Sequence, residues 1–205
     1  MPVIEAIHRP SFRAWPLVAP YVAWMALMGA LPVSASAYAV RGVATALLLG
    51  CTAYAYRAAL SAFVRRLTFR TFAIAVASGV VVLAVWIAPE TWLWPRAPES
   101  ASSPYDPAVC GWTLFTAKLL ASAFVISAAE ELFFRKWLVD FAGFWPTVAL
   151  FAVEHGGRWH VGALTGVVYG LLARRCGILA AIVAHAVTNL ALGLFVLKTG
   201  RWYFW

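Results

Sequence analysis

Long apolar runs alternate with short polar or basic connections along almost the whole chain. The runs are longer than ordinary strands and lack the period-2 alternation of a membrane β-barrel, so the pattern predicts helices. Seven runs occupy residues 15–31, 42–56, 71–88, 111–141, 145–155, 161–173 and 177–197. The expected fold class is therefore all-α, a polytopic transmembrane helical bundle of about seven segments.

The composition places this bundle in a lipid bilayer. Hydrophobic residues make up 63% of the 205 residues and charged residues only 12%, whereas about a quarter of the residues in a soluble protein are charged. The net charge of +8 does not indicate nucleic acid, because the basic residues form no dense stripe with interleaved aromatic side chains. The lipid bilayer is the expected partner, and nucleic acid is not.

The distribution of Lys and Arg predicts an orientation. Alternate connections or segment ends are basic, around residues 9–13, 57–70, 135–136 and 174–175, whereas Arg41 stands in one of the other connections. Under the positive-inside rule the N-terminus lies in the cytoplasm and the C-terminus outside. The basic 57–70 stretch is expected to lie along the cytoplasmic interface. The chain also starts like a signal peptide, but its first run is long and contains two prolines, so a retained first helix is expected.

A hydrophilic connection rich in Pro, Ser and acidic residues, at 89–110, divides the single membrane domain into two parts. Residues 1–110 hold the N-terminal membrane helices and this exterior loop, with almost no strongly polar residue at depth. Residues 111–205 hold nearly all of the intramembrane Glu, His and Asn, so any chemistry is expected in this part. In the sixth run Gly162, Gly166 and Gly170 share one face, which predicts close packing against a neighbouring helix.

Two adjacent glutamates lie deep in the fourth run, within SAAEELFFRKW. Glu130 and Glu131 are about ten residues from its cytoplasmic end, or about 15 Å at 1.5 Å per residue. An ionised side chain at that depth costs several kcal/mol unless it is paired or hydrated. Arg135 is four residues after Glu131 and can pair with it, whereas Glu130 is turned about 100° away and stays free to act. An ion-paired helix end at the interface is the alternative interpretation.

Two histidines and an asparagine follow in the fifth and seventh runs. His155 ends FAVEH, and His185 and Asn189 are the first and last residues of HAVTN, at a depth comparable to that of Glu130. Taken singly, each histidine is explained by packing or a loop edge. Taken together with Glu130, they indicate a buried polar constellation.

The fifth run is too short to span a bilayer. A segment of half-membrane depth is expected, with a turn at Gly156 and Gly157 that faces protein or water. Glu154, next to His155, is expected to point away from the constellation and to pair with Arg158, four residues later.

In this order EELFFR, FAVEH and HAVTN resemble the EExxxR, FxxxH and HxxxN motifs of the CAAX prenyl endopeptidase-like family, the intramembrane glutamic proteases also called CPBP or ABI proteins. The resemblance covers residues 111–189. It implies a membrane endopeptidase that hydrolyses a peptide bond of a membrane-associated protein or peptide, with a catalytic cavity that opens towards the cytoplasm. It implies no metal and no cofactor.

The resemblance also implies a role for each motif position. Glu130 is expected to be the general base that activates water, and His155 to help bind and polarise that water. His185 and Asn189 are expected to stabilise the oxyanion of the tetrahedral intermediate, because donors fixed around a developing charge act strongly in a low-dielectric cavity. The paired second glutamate and its arginine are expected to support this base.

The C-terminal GRWYFW and the short length resemble a bacterial branch of the family found beside exosortase-type protein-sorting systems. This implies a place in the bacterial cytoplasmic (inner) membrane and association with a protein-sorting system. The cysteines Cys51, Cys110 and Cys176 are scattered and have no CxxC spacing, so neither a disulfide nor a metal site is predicted.

Two other functions fit the same residues. A zinc-dependent membrane hydrolase is one, since Glu130, His155 and His185 can ligate a metal, although the HExxH helix of zinc proteases is absent. A non-enzymatic membrane protein that binds a peptide or confers immunity is the other. A transporter is disfavoured because the polar groups converge on one site instead of lining a path.

Overall fold

The computed structural model describes residues 14–93 and 103–205, and these residues contain helices and no strand. Four helices are long and apolar enough to cross a membrane. The all-α membrane bundle predicted from the apolar runs is confirmed. The helix bounds are α1 Trp15–Ala30, α2 Ala35–Ala55, α3 Arg57–Arg66, α4 Phe69–Ala88, α5 Trp112–Ala142, α6 Phe144–Glu154, α7 Trp159–Cys176 and α8 Ile178–Thr199. The basic residues at 9–13 and the centre of the predicted exterior loop, 94–102, lie outside the described residues.

Helix boundaries coincide with residues suited to end or start a helix. Gly143 and Gly177 adopt positive φ angles of 88° and 96°, a region that glycine enters without steric cost, and they separate α5 from α6 and α7 from α8. Ser34 and Thr68 cap α2 and α4, because each side chain accepts a hydrogen bond from a backbone N–H three residues later. Helix α3 has no buried residue, as expected of the segment predicted to lie along the interface.

The hydropathy pattern places Arg41 in a connection, but in the structure Arg41 lies inside α2. The helix begins seven residues earlier than the apolar run, at Ala35, and the Arg41 side chain is buried. Its guanidinium carbon lies 5.1 Å from the Trp24 ring centroid and 5.0 Å from that of Tyr38. Aromatic faces can stabilise a buried cation, which a hydropathy pattern does not register.

The glycine stripe of α7 packs directly on α6, as predicted. A Cβ atom at Gly162 would lie 3.1 Å from the Cβ of His155, and one at Gly170 would lie 2.5 Å from Cε2 of Phe144. The two helices are therefore antiparallel, with the end of α6 beside the start of α7. This contact holds His155 against the α7 backbone.

The turn after α6 does not lie at half depth. Arg158, in this turn, donates from Nη2 to Glu90 Oε1 at 2.9 Å and from Nη1 to the Tyr203 carbonyl at 3.1 Å. Glu90 follows α4 and Tyr203 follows α8, so the turn lies beside the ends of two membrane-length helices. The predicted pair of Arg158 with Glu154 is wrong for the same reason, because the arginine points away from α6 towards these helix ends.

It is the start of α6, at Phe144, that stops short of the level reached by the neighbouring helix α7. Phe144, the first residue of α6, packs beside Gly170, and α7 continues for six further residues, to Cys176. At about 1.5 Å per residue α7 thus extends about 9 Å beyond the start of α6. A short apolar run in the sequence predicts the length of a helix but not the depth in the bundle at which the helix starts.

Substituting Gly79 by Ala is expected to lower the free energy of unfolding by about 1–3 kcal/mol. A Cβ atom at this position would overlap the Ala184 carbonyl oxygen and lie 2.9 Å from Val187 Cβ. Backbone cannot rotate away as a side chain can, so α4 and α8 would have to separate. The measurement is thermal unfolding of the purified protein in detergent. Gly50→Ala is the matched control, since nothing lies within 4 Å of a Cβ there; equal melting of the two variants would contradict the packing argument.

Candidate active site

The glutamate-bearing helix α5 is not a regular α-helix. Ala121–Ile126 and Leu132–Leu138 are π-helical, and they flank the α-helical segment Ser127–Glu131. A π segment has a wider turn than an α-helix, so it rotates the side chains that follow, and such segments are frequent at functional sites. The faces predicted from a regular 100° spacing therefore do not carry over to the neighbours of Glu130.

Glu131 is fully buried and joins two helices. Its Oε2 lies 3.3 Å from Nε of Arg135, which is the pair predicted from the i,i+4 spacing. Its Oε1 accepts a hydrogen bond from Nδ1 of His185 at 2.9 Å. The guanidinium of Arg135 lies over the Phe151 ring, with Cζ 3.9 Å from the centroid. α5, α6 and α8 thus meet at one buried carboxylate.

His185 lies between the two glutamates. Because Nδ1 is engaged by Glu131, the other ring nitrogen, Nε2, faces Glu130, at 3.8 Å from Oε2. The ring stacks on that of Tyr169, with centroids 5.0 Å apart, and the Tyr169 hydroxyl donates to Oγ1 of Thr188 at 2.7 Å. The carboxylate and the stacked ring fix both the tautomer and the orientation of the imidazole.

Asn189 ties α8 to the first π segment of α5. Its Nδ2 donates to the Ser122 carbonyl at 3.1 Å and to Oγ of Ser127 at 3.2 Å. The Ser122 carbonyl also accepts from the Ser127 hydroxyl, five residues later, at 3.3 Å. Both hydrogens of the Asn189 amide are therefore used within the protein, so the predicted oxyanion role requires one of these contacts to open.

His155 lies at the C-terminal end of α6. Its Nδ1 is 2.7 Å from the carbonyl of Phe151, and since a carbonyl only accepts, Nδ1 carries the hydrogen and Nε2 is the acceptor of the neutral ring. The ring also packs on Trp86, with centroids 5.3 Å apart. Among the described residues no hydrogen bond joins His155 to Glu130.

A cavity of about 250 Å³ lies next to these groups. Three of the predicted site residues line it, namely His155, His185 and Asn189, whereas Glu130 does not and lies behind His185. Lys118, near the start of α5, and Trp205, beyond the end of α8, line the same cavity. The cavity therefore extends towards the end of the bundle that the positive-inside rule places outside. The resemblance implies the opposite, an opening towards the cytoplasm.

Glu154 belongs to the site, contrary to the expectation that it points elsewhere. Its carboxylate lies near the Tyr21 hydroxyl and near Glu130. Glu154 is half-buried, with one carboxylate oxygen out of contact with solvent. Three glutamates thus converge between α1, α5 and α6. Its position one residue before His155 in FAVEH was the available signal, but a regular helix directs adjacent side chains about 100° apart.

The donor geometry does not form a metal centre in the part of the chain that is described. Within residues 14–93 and 103–205, no group of three or more His, Cys, Asp or Glu side chains is placed to hold a metal ion.

These features define the class of protein as a polytopic helical membrane protein with a buried carboxylate and imidazole site. Residues 112–191 match the family model described as type II CAAX prenyl endopeptidase Rce1-like. This segment contains all three motifs, and the match supports the CAAX prenyl endopeptidase-like (CPBP) family that the motifs predict. The family supports a CAAX-type intramembrane protease with a membrane peptide or protein as substrate. Comparison with curated proteins and with solved structures gave no match.

Proposed function

We propose that this protein is a metal-independent glutamic endopeptidase, in which Glu130 activates a water molecule that attacks a peptide carbonyl of a membrane-associated protein or peptide. The observation that carries the proposal is the placement of His185, which faces Glu130 at 3.8 Å and Glu131 at 2.9 Å and also lines the cavity. A base, an oriented imidazole and a space for substrate are thus contiguous, which is the arrangement that hydrolysis needs.

The reaction follows ordinary acid–base chemistry. Glu130 takes one proton from water while the oxygen adds to the carbonyl carbon, and Nε2 of His155 accepts a hydrogen bond from the same water. The resulting oxyanion is stabilised by an N–H of Asn189 and by the Nε2–H that His185 presents when both of its ring nitrogens carry a proton. Glu130 then gives its proton to the leaving amine as the C–N bond breaks. Glu130 must reach the cavity past His185, and catalytic contacts of a free enzyme are often longer than those in its substrate complex.

The remaining motif residues, Glu131, Arg135 and Asn189, support the groups that carry out the reaction. Glu131, held by Arg135, positions His185 through Nδ1, in the way that a buried carboxylate orients the histidine of a serine protease. Asn189 keeps its contact with Ser122 and turns its other N–H, released from Ser127, towards the oxyanion. Residues 111–205 form the catalytic part, and residues 1–110 support and enclose it.

The location is also a proposal. The N-terminus lies in the cytoplasm and the chain in a bacterial inner membrane, with a protein-sorting system as the associated partner. Reporter fusions at the two termini test the orientation, since a reporter active only in the cytoplasm should respond at the N-terminus alone. A signal at the C-terminus instead would reverse the assignment of the cavity end.

The test of the function compares the termini of membrane proteins by mass spectrometry in cells that carry the wild-type protein, Glu130→Gln or no protein. We expect defined new termini only with the wild type. Identical termini in all three, with a phenotype that the mutant still supports, would favour the peptide-binding alternative. The comparison also identifies the substrate without any assumption about its sequence.

Treatment with a chelator should leave hydrolysis unchanged, because the proposed base and donors are side chains only. The measurement is cleavage of the identified substrate by purified protein after incubation with 1,10-phenanthroline and dialysis. Loss of cleavage that zinc restores would favour the zinc hydrolase and would contradict the glutamate-activated mechanism.

A further inference from the structure

Two buried cations lie at the end of the cavity that is remote from the glutamates. Lys118 is 3% and Arg41 5% exposed. Nζ of Lys118 lies 3.5 Å from the ring centroid of Trp205 and 4.5 Å from those of Tyr38 and Tyr105. Neither cation belongs to the three motifs, and the proposed reaction uses neither.

These cations have no acidic partner among residues 14–93 and 103–205. The ion pairs of this part of the chain engage other basic groups and leave Lys118 and Arg41 out. Both basic groups lie against the Tyr38 ring, with Cζ of Arg41 5.0 Å and Nζ of Lys118 4.5 Å from its centroid. Aromatic faces offset part of the cost of burying a cation, but a buried charge is normally balanced by an opposite charge. An anion bound beside Lys118 would supply that balance.

Lys118 faces the cavity that the catalytic groups face. It lines the cavity together with His155, His185 and Asn189. Lys118 also stands four residues before Ser122, whose carbonyl binds Asn189 at 3.1 Å. One helical turn is about 5.4 Å, and an extended peptide advances about 3.3 Å per residue. A group bound by Lys118 would therefore lie one or two residues from a peptide bond at the catalytic end.

We infer that Lys118, with Arg41 behind it, binds a carboxylate of the peptide substrate, one or two residues from the bond that is cleaved. The inference rests on the proposed function, because it takes the cavity as the place where substrate lies. The carboxylate is either the C-terminal group of the peptide or an acidic side chain, and both present the same two oxygens to the ammonium. Trp205 also lines the cavity, and its ring lies over Nζ of Lys118, with the centroid 3.5 Å away.

Binding tests the inference without requiring cleavage. The full-length Glu130→Gln protein in detergent is titrated with two pairs of peptides: N-acetyl-Ala-Val-Leu as acid or amide, and N-acetyl-Ala-Glu-Leu-amide or its Gln counterpart. We expect at least one acid form to bind about tenfold more tightly than its neutral counterpart, which corresponds to about 1.4 kcal/mol. Lys118→Met should abolish that preference, Lys118→Arg should retain it, and Lys198→Met, at an exposed lysine of α8, should leave it unchanged.

Equal binding of acid and neutral peptides, or a preference that survives in a folded Lys118→Met protein, would overturn the inference. The result is separable from the mechanism. If acid peptides bind selectively but Glu130→Gln cleaves at the wild-type rate, the subsite stands and the role of Glu130 as general base is contradicted. If Glu130→Gln loses cleavage but acid and neutral peptides bind equally, Glu130 keeps its role and the subsite is contradicted.

Discussion

Replacing Glu130 by Gln is expected to slow peptide-bond hydrolysis about 10²–10⁴-fold, the usual contribution of a positioned general base. Gln has the same shape as Glu but cannot take a proton from water. The fold should survive, because Gln keeps the shape of this side chain and its approach to His185, which is 3.8 Å for Glu130. The measurement is single-turnover cleavage of the substrate identified by its new terminus, with thermal unfolding measured in parallel.

Two variants make this result specific to Glu130. Asp140→Asn removes an exposed carboxylate of the same helix, one that pairs with Lys136 at 3.5 Å, and it should cleave at the wild-type rate. Glu154→Gln removes the neighbouring buried carboxylate and should slow the reaction less than Glu130→Gln. Full activity in Glu130→Gln together with loss in Glu154→Gln would transfer the role of base to Glu154.

Replacing Glu131 by Gln is expected to lower the free energy of unfolding by about 3 kcal/mol, at the lower end of the range for breaking a buried ion pair. Its carboxylate is the charge nearest to Arg135, at 3.3 Å. Within the described residues, Nη1 and Nη2 of Arg135 have no hydrogen-bond partner, so the arginine would lose the ion pair that Nε makes with Glu131. The expected loss is not larger because the charges of Glu130 and Glu154 also interact with Arg135. Unfolding in a titration with a denaturing detergent measures the difference.

The double variant Glu131→Gln with Arg135→Met separates stability from activity. Removing both charges, and filling the space with an apolar side chain, is often neutral or stabilising, so most of the lost stability should return. Hydrolysis should stay low, because His185 still lacks the carboxylate that orients Nδ1. Recovery of hydrolysis together with stability would show that Glu131 acts only through the fold and does not position His185.

The hydrophobic pattern determined the helical architecture because a bilayer imposes the same condition on every spanning segment. A stretch must be apolar over about 20 residues to cross the hydrocarbon core, and its backbone must satisfy its own hydrogen bonds, which only helices and closed barrels do. The helices α5 and α8 were visible in this way, near their observed bounds. Glu131 and Arg135 were also predictable as a pair, because four residues along a helix bring two side chains onto one face.

Contacts between helices were decided only by the tertiary structure. His185 and Glu131 are 54 residues apart and Arg158 and Glu90 are 68 apart, and local periodicity holds no information about which helix faces meet. The two π segments add to this, since they rotate Ser127 and Glu130 relative to a regular helix. The buried Lys118 appeared in the sequence as one polar residue in an apolar run. Its meaning depends on the aromatic rings and the cavity that α2, α5 and the residues after α8 assemble around it, and that assembly results from packing rather than from any local pattern.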